Sequence, residues 1–348
     1  MPVSQKDIAR QLRLSTATVS RSLMADPMIS PRTAARVAQA AAEMGYRPGR
    51  RKDRTVGRAR GRQTATRVGV LLRTGQDSEY QDQRVSLLEG MTVAARQAGV
   101  QLQIDTLLPG DEKLLLTEPH RVPMLTGPEA PDGLILWQGL HHDALQRVVS
   151  FRPCVMVNNH YLPGSRVDAV GPNHFDAIVG LVEHLYAQGH RRIGYFGPPH
   201  QFVWGPARAS AFVAGLLKLQ LPEDPAWRID SDSPAADARL VDHSREDVTA
   251  WVVPHEHLAH RAWGVLTQAG LQVPEAVSLA GFHVHAVPPG VPPITTALAP
   301  WRDIGRHALR RLLDRLAHPE EPGRRVMLDC QLRPGHTSAG PRAERSAS

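Results

Sequence analysis

His255, Glu256, His257 and His260 crowd three imidazoles and a carboxylate into one short segment, and side chains of these types on one helical turn can ligate zinc. The two-histidine, four-apart pattern of zinc proteases is absent, so a polar helix start or a ligand contact is the expected role. No metal and no cofactor are expected. Trp137, Trp204, Trp263 and Trp301 could stack on a sugar ring or a base, although tryptophan on a strand or helix ordinarily serves packing. Trp204 is the best placed for stacking, in a Gly/Pro-rich loop just ahead of Arg208. The sequence has no Gly-x-Ser-x-Gly elbow, no phosphate loop ending in Lys-Ser/Thr and no Gly-x-Gly-x-x-Gly after a strand. An enzyme is therefore not expected.

The 348 residues carry a net charge of +7, unevenly spread. Residues 1–67 hold 15 Lys+Arg against 4 Asp+Glu, which leaves the rest of the chain net negative. Positive charge so concentrated attracts phosphate backbones in a salt-dependent way. Cys154 and Cys330 lie in or beside apolar runs and read as buried, reduced thiols of a reducing cytosol. The first ten residues lack the apolar core of a signal peptide, and nowhere do about 18 apolar residues run together. A cytoplasmic protein with no membrane partner is expected.

These groups need elements to hold them. Ser4 can cap a helix through Leu12, with Ile8 and Leu12 on one face. Ser15 can cap a second, in which Val19 and Leu23 face inward and Thr16, Ala17, Thr18, Ser20 and Arg21 are left outward. Ser30-Pro31 starts a third, with Val37, Ala41 and Met44 as its apolar stripe before Gly45. From 47 to 66 apolar side chains nearly vanish while Arg50, Arg51, Lys52, Arg54, Arg58, Arg60 and Arg62 accumulate, which reads as a basic linker. Beyond it, strands expected at 68–72, 102–107, 134–137, 155–157, 193–196, 251–253 and 277–280 alternate with helices expected at 85–98, 175–188, 208–219, 257–269 and 304–316. The expected fold is α/β, with a three-helix helix-turn-helix domain followed by two doubly wound lobes. Its small-molecule site should lie in the crevice off the carboxyl ends of the strands. The expected boundaries are 1–46 for the helical domain, 47–66 for the linker, 67–338 for the two lobes and 339–348 for a flexible tail.

The run Lys6-Asp7-Ile8-Ala9, Leu14-Ser15-Thr16-Ala17-Thr18-Val19-Ser20-Arg21, Ile29-Ser30 and Met44-Gly45-Tyr46-Arg47-Pro48 resembles the lactose/galactose repressor (LacI/GalR) family. The resemblance continues through Leu185-Tyr186-Ala187-Gln188-Gly189-His190, Ala269-Gly270-Leu271-Gln272-Val273-Pro274, Val277-Ser278-Leu279-Ala280-Gly281-Phe282 and Thr295-Thr296. It implies a homodimeric regulator, a repressor, with a periplasmic-binding-protein-like sensor controlled by a small-molecule effector, a sugar or related metabolite. It also implies that Thr16, Ala17 and Arg21 read bases of double-stranded operator DNA, where arginine can pair bidentately with guanine. Thr18, Ser20, Ser30 and Thr33 match positions that hold phosphates. A solute-binding protein or sugar-processing enzyme of the same two-lobed architecture is the alternative, since fold alone does not decide function.

Departures from the family pattern carry their own expectations. In the linker, Gly49, Lys52 and Thr55 stand where relatives have Asn, Ala and a Leu that wedges into the minor groove, so weaker bending of DNA is expected. Arg50, Arg51, Lys52 and Arg54 should grip phosphates or the minor groove instead. In the sensor the resemblance implies effector contacts by Arg208, Asn158, His255 and His283, and Trp204, singled out above by its loop position, is expected to join them. His255-Glu256 replaces Asn-Asp and His283 replaces Asp. A neutral imidazole accepts one hydrogen bond where a carboxylate accepts several. Ordinary histidines there would titrate near pH 6.5 and make effector binding pH-dependent. Between Glu112 and Pro131, Pro119, Pro123 and Pro128 should break a helix that relatives keep whole.

Overall fold

The computed structural model describes residues 5–23, 30–44, 65–73, 81–108, 110–137, 140, 142–158, 167–198 and 204–341. The chain divides into two units, Met1–Gln63 and Thr64–Ser348.

The first unit contains α1 (Gln5–Leu12), α2 (Thr16–Leu23) and α3 (Pro31–Glu43). Each apolar face is short, so no single helix could stand alone, and the three close over one core of Ile8, Ala9, Val19, Val37, Ala40 and Ala41. The starts of α2 and α3 are fixed by serine caps: the Thr18 N–H donates to Ser15 Oγ at 3.0 Å and the Thr33 N–H to Ser30 Oγ at 3.2 Å. Between α1 and α2 the chain reverses through Arg13, which takes a left-handed φ of 52° while the Leu14 N–H donates back to Ala9 O at 3.0 Å.

The second unit holds two six-stranded sheets. The first lobe is built on β1 (Arg67–Arg73), β2 (Gln101–Leu107), β3 (Gly133–Trp137), β4 (Cys154–Val157) and β5 (Asp168–Pro172), in the order β5-β4-β3-β1-β2 and all parallel. Its helices are α4 (Gln81–Ala98), the six-residue α5 (Glu112–Thr117) and α6 (His142–Phe151). After α5 a 3-10 turn at Pro119–Arg121 takes over, as the prolines require.

The second lobe carries β6 (Ile193–Phe196), β7 (Arg228–Ile229), β8 (Ala250–Val253), β9 (Ser278–Phe282) and β10 (Thr295–Leu298), ordered β10-β9-β8-β6-β7. It is covered by α7 (His174–Ala187), α8 (Gly205–Lys218), α9 (Ala236–Glu246) and α10 (Glu256–Gln268). The chain then returns to the first lobe with α11 (Trp301–Ala317) and the parallel edge strand β11 (Arg325–Leu328) beside β5. It crosses back once more as β12 (Gln331–Arg333), antiparallel to β10. Three crossovers, near 173, 299 and 329, therefore tie the lobes together.

Two features hold these returns in place. Gly90 of α4 and Gly305 of α11 let the two helices touch backbone to backbone: an added Cβ would lie 1.8 Å from Arg302 O in one case and 2.1 Å from Leu87 O in the other. Asp168, fully buried at the start of β5, receives Arg315 Nε and Nη2 at 2.8 and 3.1 Å, and the Arg324 N–H at 2.6 Å. Arg311 Nε lies 3.1 Å from the same carboxylate. Burial works to raise the pKa of Asp168, but these donors outweigh it and hold it below the usual carboxylate value.

The expected segmentation needs three corrections. The linker does not extend to residue 66 as an independent segment, because Thr66 O accepts the Gln101 N–H at 2.9 Å and so belongs to the first lobe. The tail does not begin at 339, because Ala339 O accepts from His190 Nε2 at 2.8 Å and Ser278 Oγ at 3.1 Å. Thr337, also buried, donates to Leu279 O at 2.7 Å, so the lobe's ordered hydrogen bonding runs on past 338. Finally, β5, β7, β10, β11, β12, α5, α6 and α9 were not anticipated from the sequence.

Candidate functional site

The carboxyl ends of the strands face each other across the crevice, and the loops leaving them place the site residues. Asn158 follows β4 with a φ of 63°, and His283 follows β9 with a φ of 52°. Both take the left-handed region, which asparagine and histidine tolerate better than most side chains. His255 follows β8 as the residue capping α10, and its side chain makes no cap hydrogen bond. Trp204 is the residue at the amino end of α8 and Arg208 lies in its first turn, in the helix that follows β6. Asn158, Trp204, Arg208, His255 and His283 line one interlobe cavity together with Gln83, Glu256, Phe282 and Trp301. The free space left among them is about 20 Å³, room for a water molecule and not for a sugar.

That space is small because the residues fill it themselves. Arg208 is 4% exposed, and its guanidinium lies between two rings, 4.0 Å from the centroid of Trp204 and 3.7 Å from that of Phe282. Its Nε and Nη2 point at His174 Nδ1, at 3.1 and 3.0 Å, and Nη1 donates to Pro254 O. Trp204 in turn stacks on His255, with centroids 5.4 Å apart and planes 5° from parallel. Glu256 Oε1 accepts the N–H groups of His285 and Ala286 at 2.6 Å each, so this carboxylate fixes the loop after β9.

The electrostatics overturn the expectation that these histidines titrate near neutrality. Burial first, then Arg208 and the neighbouring His257 and His283, push His255 down to about 3. Burial, His285 and Arg208 do the same to His283, also to about 3. Both are neutral imidazoles through the physiological range. His283 meets a further conflict, because the Ala299 N–H points at Nδ1 (3.1 Å) and Trp301 Nε1 at Nε2 (2.9 Å). A neutral imidazole has one acceptor nitrogen, so one of the two donors always faces an N–H. A carboxylate at the same place could accept both. Asn158 Oδ1 and Trp137 Nε1 are buried at the crevice ends of β4 and β3 without a hydrogen-bond partner.

Sequence reasoning missed His174, Gln83 and Phe282 and left Trp301 among the packing tryptophans. Only the order of strands and crossovers brings them together, and no local spacing announces it. In the segment 255–260, His260 Nε2 pairs with Ala286 O at 3.2 Å. Among the described residues, the metal-type donor atoms that converge within 4.8 Å are those of His243, Glu246 and Asp247 at the end of α9.

In the helical unit, Thr16 opens α2 and is exposed. Ala17, Ser20 and Arg21 lie within α2, but their side chains fall outside the description. Thr18, Ser30 and Thr33 take part in the caps: Ser15 Oγ and Thr18 Oγ1 are 2.8 Å apart, Ser30 Oγ and Thr33 Oγ1 2.9 Å. Arg50, Arg51, Lys52, Arg54 and Thr55 lie outside the described residues.

Residues 4–49 match the family described as bacterial regulatory proteins, lacI family, and residues 182–338 match the periplasmic binding protein-like domain. The chain is 27% identical to the HTH-type transcriptional repressor CytR of Escherichia coli (strain K12), over 94% of each protein. Among solved structures it is similar to a transcriptional regulator CelR–cellobiose complex, with 23% identity, TM-score 0.66, and coverage of 96% of this chain and 99% of that one. It is also similar to the lac repressor dimer bound to operator and the anti-inducer ONPF, with 21% identity, TM-score 0.63, and coverage of 97% and 100%. No helix among the described residues is long and apolar enough to cross a membrane.

Proposed function

Because the chain belongs to the LacI/GalR family of bacterial regulators, we propose that it is a cytoplasmic, homodimeric, non-enzymatic transcriptional repressor whose hold on operator DNA is set by a small molecule bound between the lobes. The observation that carries this reading is the convergence of Asn158, Trp204, Arg208, His255 and His283 on one crevice, in a chain that also carries a capped three-helix DNA-binding unit. Thr16, Ala17 and Arg21 of α2 read base edges, while Thr18, Ser20, Ser30 and Thr33 hold phosphates. Arg50, Arg51, Lys52, Arg54 and Thr55 follow the DNA at the operator centre. A sugar or related metabolite is the effector class, supported by cellobiose in the structure of a similar regulator. Because the space among these five residues is self-filled, a ligand that contacts all of them must part the lobes or displace the Trp204–His255 stack. That motion is what would change the dimer's presentation of its two DNA-binding units.

The test has two parts. Gel shifts on the gene's own upstream DNA across a salt series should reveal a specific complex whose log affinity falls by about 0.9 per phosphate contact for each tenfold rise in salt. A thermal-shift screen of mono- and disaccharides should then find a ligand that alters that complex. Binding to every DNA with equal affinity, or a ligand that leaves the complex unchanged, would defeat the reading.

A further inference from the structure

His174 is the first residue of α7, at the first crossover, and is 2% exposed. It does not line the interlobe cavity, and its ring packs 5.2 Å from that of Phe282. Its Nδ1 is the common acceptor for Arg208 Nε and Nη2. An arginine side chain has several rotatable bonds and loses much freedom when held in one place. Trp204 and Phe282 fix the plane of this guanidinium but not its rotation within the plane. That rotation is set by the in-plane acceptors, of which His174 Nδ1 takes the edge made by Nε and Nη2.

We propose that His174 is a positioning residue: as the Nε2–H tautomer of a neutral imidazole, it fixes the direction in which the Arg208 guanidinium faces the interlobe cavity. The inference rests on the reading that Arg208 meets the effector. An Nδ1 that accepts cannot carry the proton, so the proton must be on Nε2. Nε2 is buried with no hydrogen-bond partner. Leaving a buried donor unsatisfied costs stability, and the fold accepts that cost to keep Nδ1 facing the arginine. The charged groups acting on His174 are Arg208 on α8 and Arg325 on β11, both cations, and the amino end of α7 adds partial positive charge. Together with burial, these hold the imidazole neutral well below its ordinary range.

Two measurements on the full chain, neither using an effector, decide the matter. In the first, phenylglyoxal is the probe of arginine accessibility, read peptide by peptide by mass spectrometry. Arg208 should be protected in the wild type and in His174→Asn, whose Oδ1 can stand in for Nδ1. In His174→Leu it should react at least tenfold faster, while the buried Arg311 and Arg315 stay protected. Equal protection in the leucine variant, or equal loss in both variants, would overturn the proposal. In the second, nitrogen NMR of histidine-labelled wild-type protein needs no variant and so stands even if His174→Leu does not fold. It should show one histidine as the Nε2–H tautomer from pH 5 to 8, its signal missing in His174→Asn. An Nδ1–H form or an imidazolium at that residue would refute the assignment. Arg208→Lys leaving every hit of the carbohydrate screen unchanged would instead defeat the effector role of Arg208, and the His174–Arg208 relation would stand.

Discussion

Arg21 and the buried histidines carry the predictions that belong to single side chains. Arg21 sits in α2, the helix proposed above to read base edges, and is the arginine of that helix, able to make a bidentate pair with guanine. Arg21→Ala should cost about 1–3 kcal/mol of discrimination, measured by competition between operator and random DNA, with the sensor's melting unchanged. The histidines make a different forecast. His174, His255 and His283 are held neutral in the folded state, while in the unfolded chain they titrate near pH 6.5. Below pH 6.5 the unfolded state therefore binds more protons, so stability is lost as pH falls through that value and on towards the folded pKa, about 3 for His255 and His283. Each histidine removes up to about 1.4 kcal/mol per pH unit. Urea titrations at pH 7.5 and 5.5 should show this loss, and His255→Asn should lessen it. Calorimetry of the effector between pH 6.5 and 8 should find no contribution from these two cavity histidines. A marked pH dependence that vanishes in His255→Asn would contradict the buried, neutral state.

At the level of elements, the tightest constraint is the contact of α4 with α11. Gly90→Ala or Gly305→Ala would place a methyl inside the van der Waals radius of a backbone carbonyl, which no side-chain rotation can relieve. Either should destabilise the sensor by about 1–3 kcal/mol or more, read as a drop in urea midpoint, whereas Gly264→Ala, with open space around it, should not. A tolerated Gly305→Ala would mean the helices are further apart than described. These helices also show what the sequence could and could not say. The expected strands at 193–196 and 251–253 are apolar runs buried along their length, and the expected helices at 257–269 and 304–316 repeat apolar residues at helical spacing, so periodicity found them. By contrast β7 is two residues long, β11 and β12 are sheet edges of mixed polarity, and α9 buries little beyond Ala236 and Leu240. Such elements are defined by their neighbours, and no pattern of their own marks them. The site divides in the same way. Residues that follow a strand, such as Asn158, His255 and His283, could be located once the strands were. His174 and Trp301 acquire their places from the crossovers. The low pKa of the cavity histidines comes from burial and from Arg208, neither of which is visible in a linear chain.

For the molecule as a whole, the two units predict separable behaviour. A fragment beginning at Thr64 should be a soluble dimer that no longer binds DNA, because the positive charge and the helix-turn-helix lie before that point and dimer contacts are expected in the lobes. Sedimentation at micromolar concentration and a gel shift check both halves of the statement, and a monomer would contradict it. The lobes themselves cannot be separated in this way. The first lobe consists of residues 66–172 completed by α11 and β11, so its sheet lacks an edge strand, and α4 lacks the helix it packs against, until residue 328 has been made. At about 5–20 residues per second, synthesis of the intervening second lobe takes on the order of ten seconds. Throughout that interval the nascent chain presents the open side of β5 and the bare face of α4 to its surroundings. The exposed window is set by the order of the strands. It makes the passage of this chain off the ribosome, more than its final stability, the stage at which a chaperone would have most to protect.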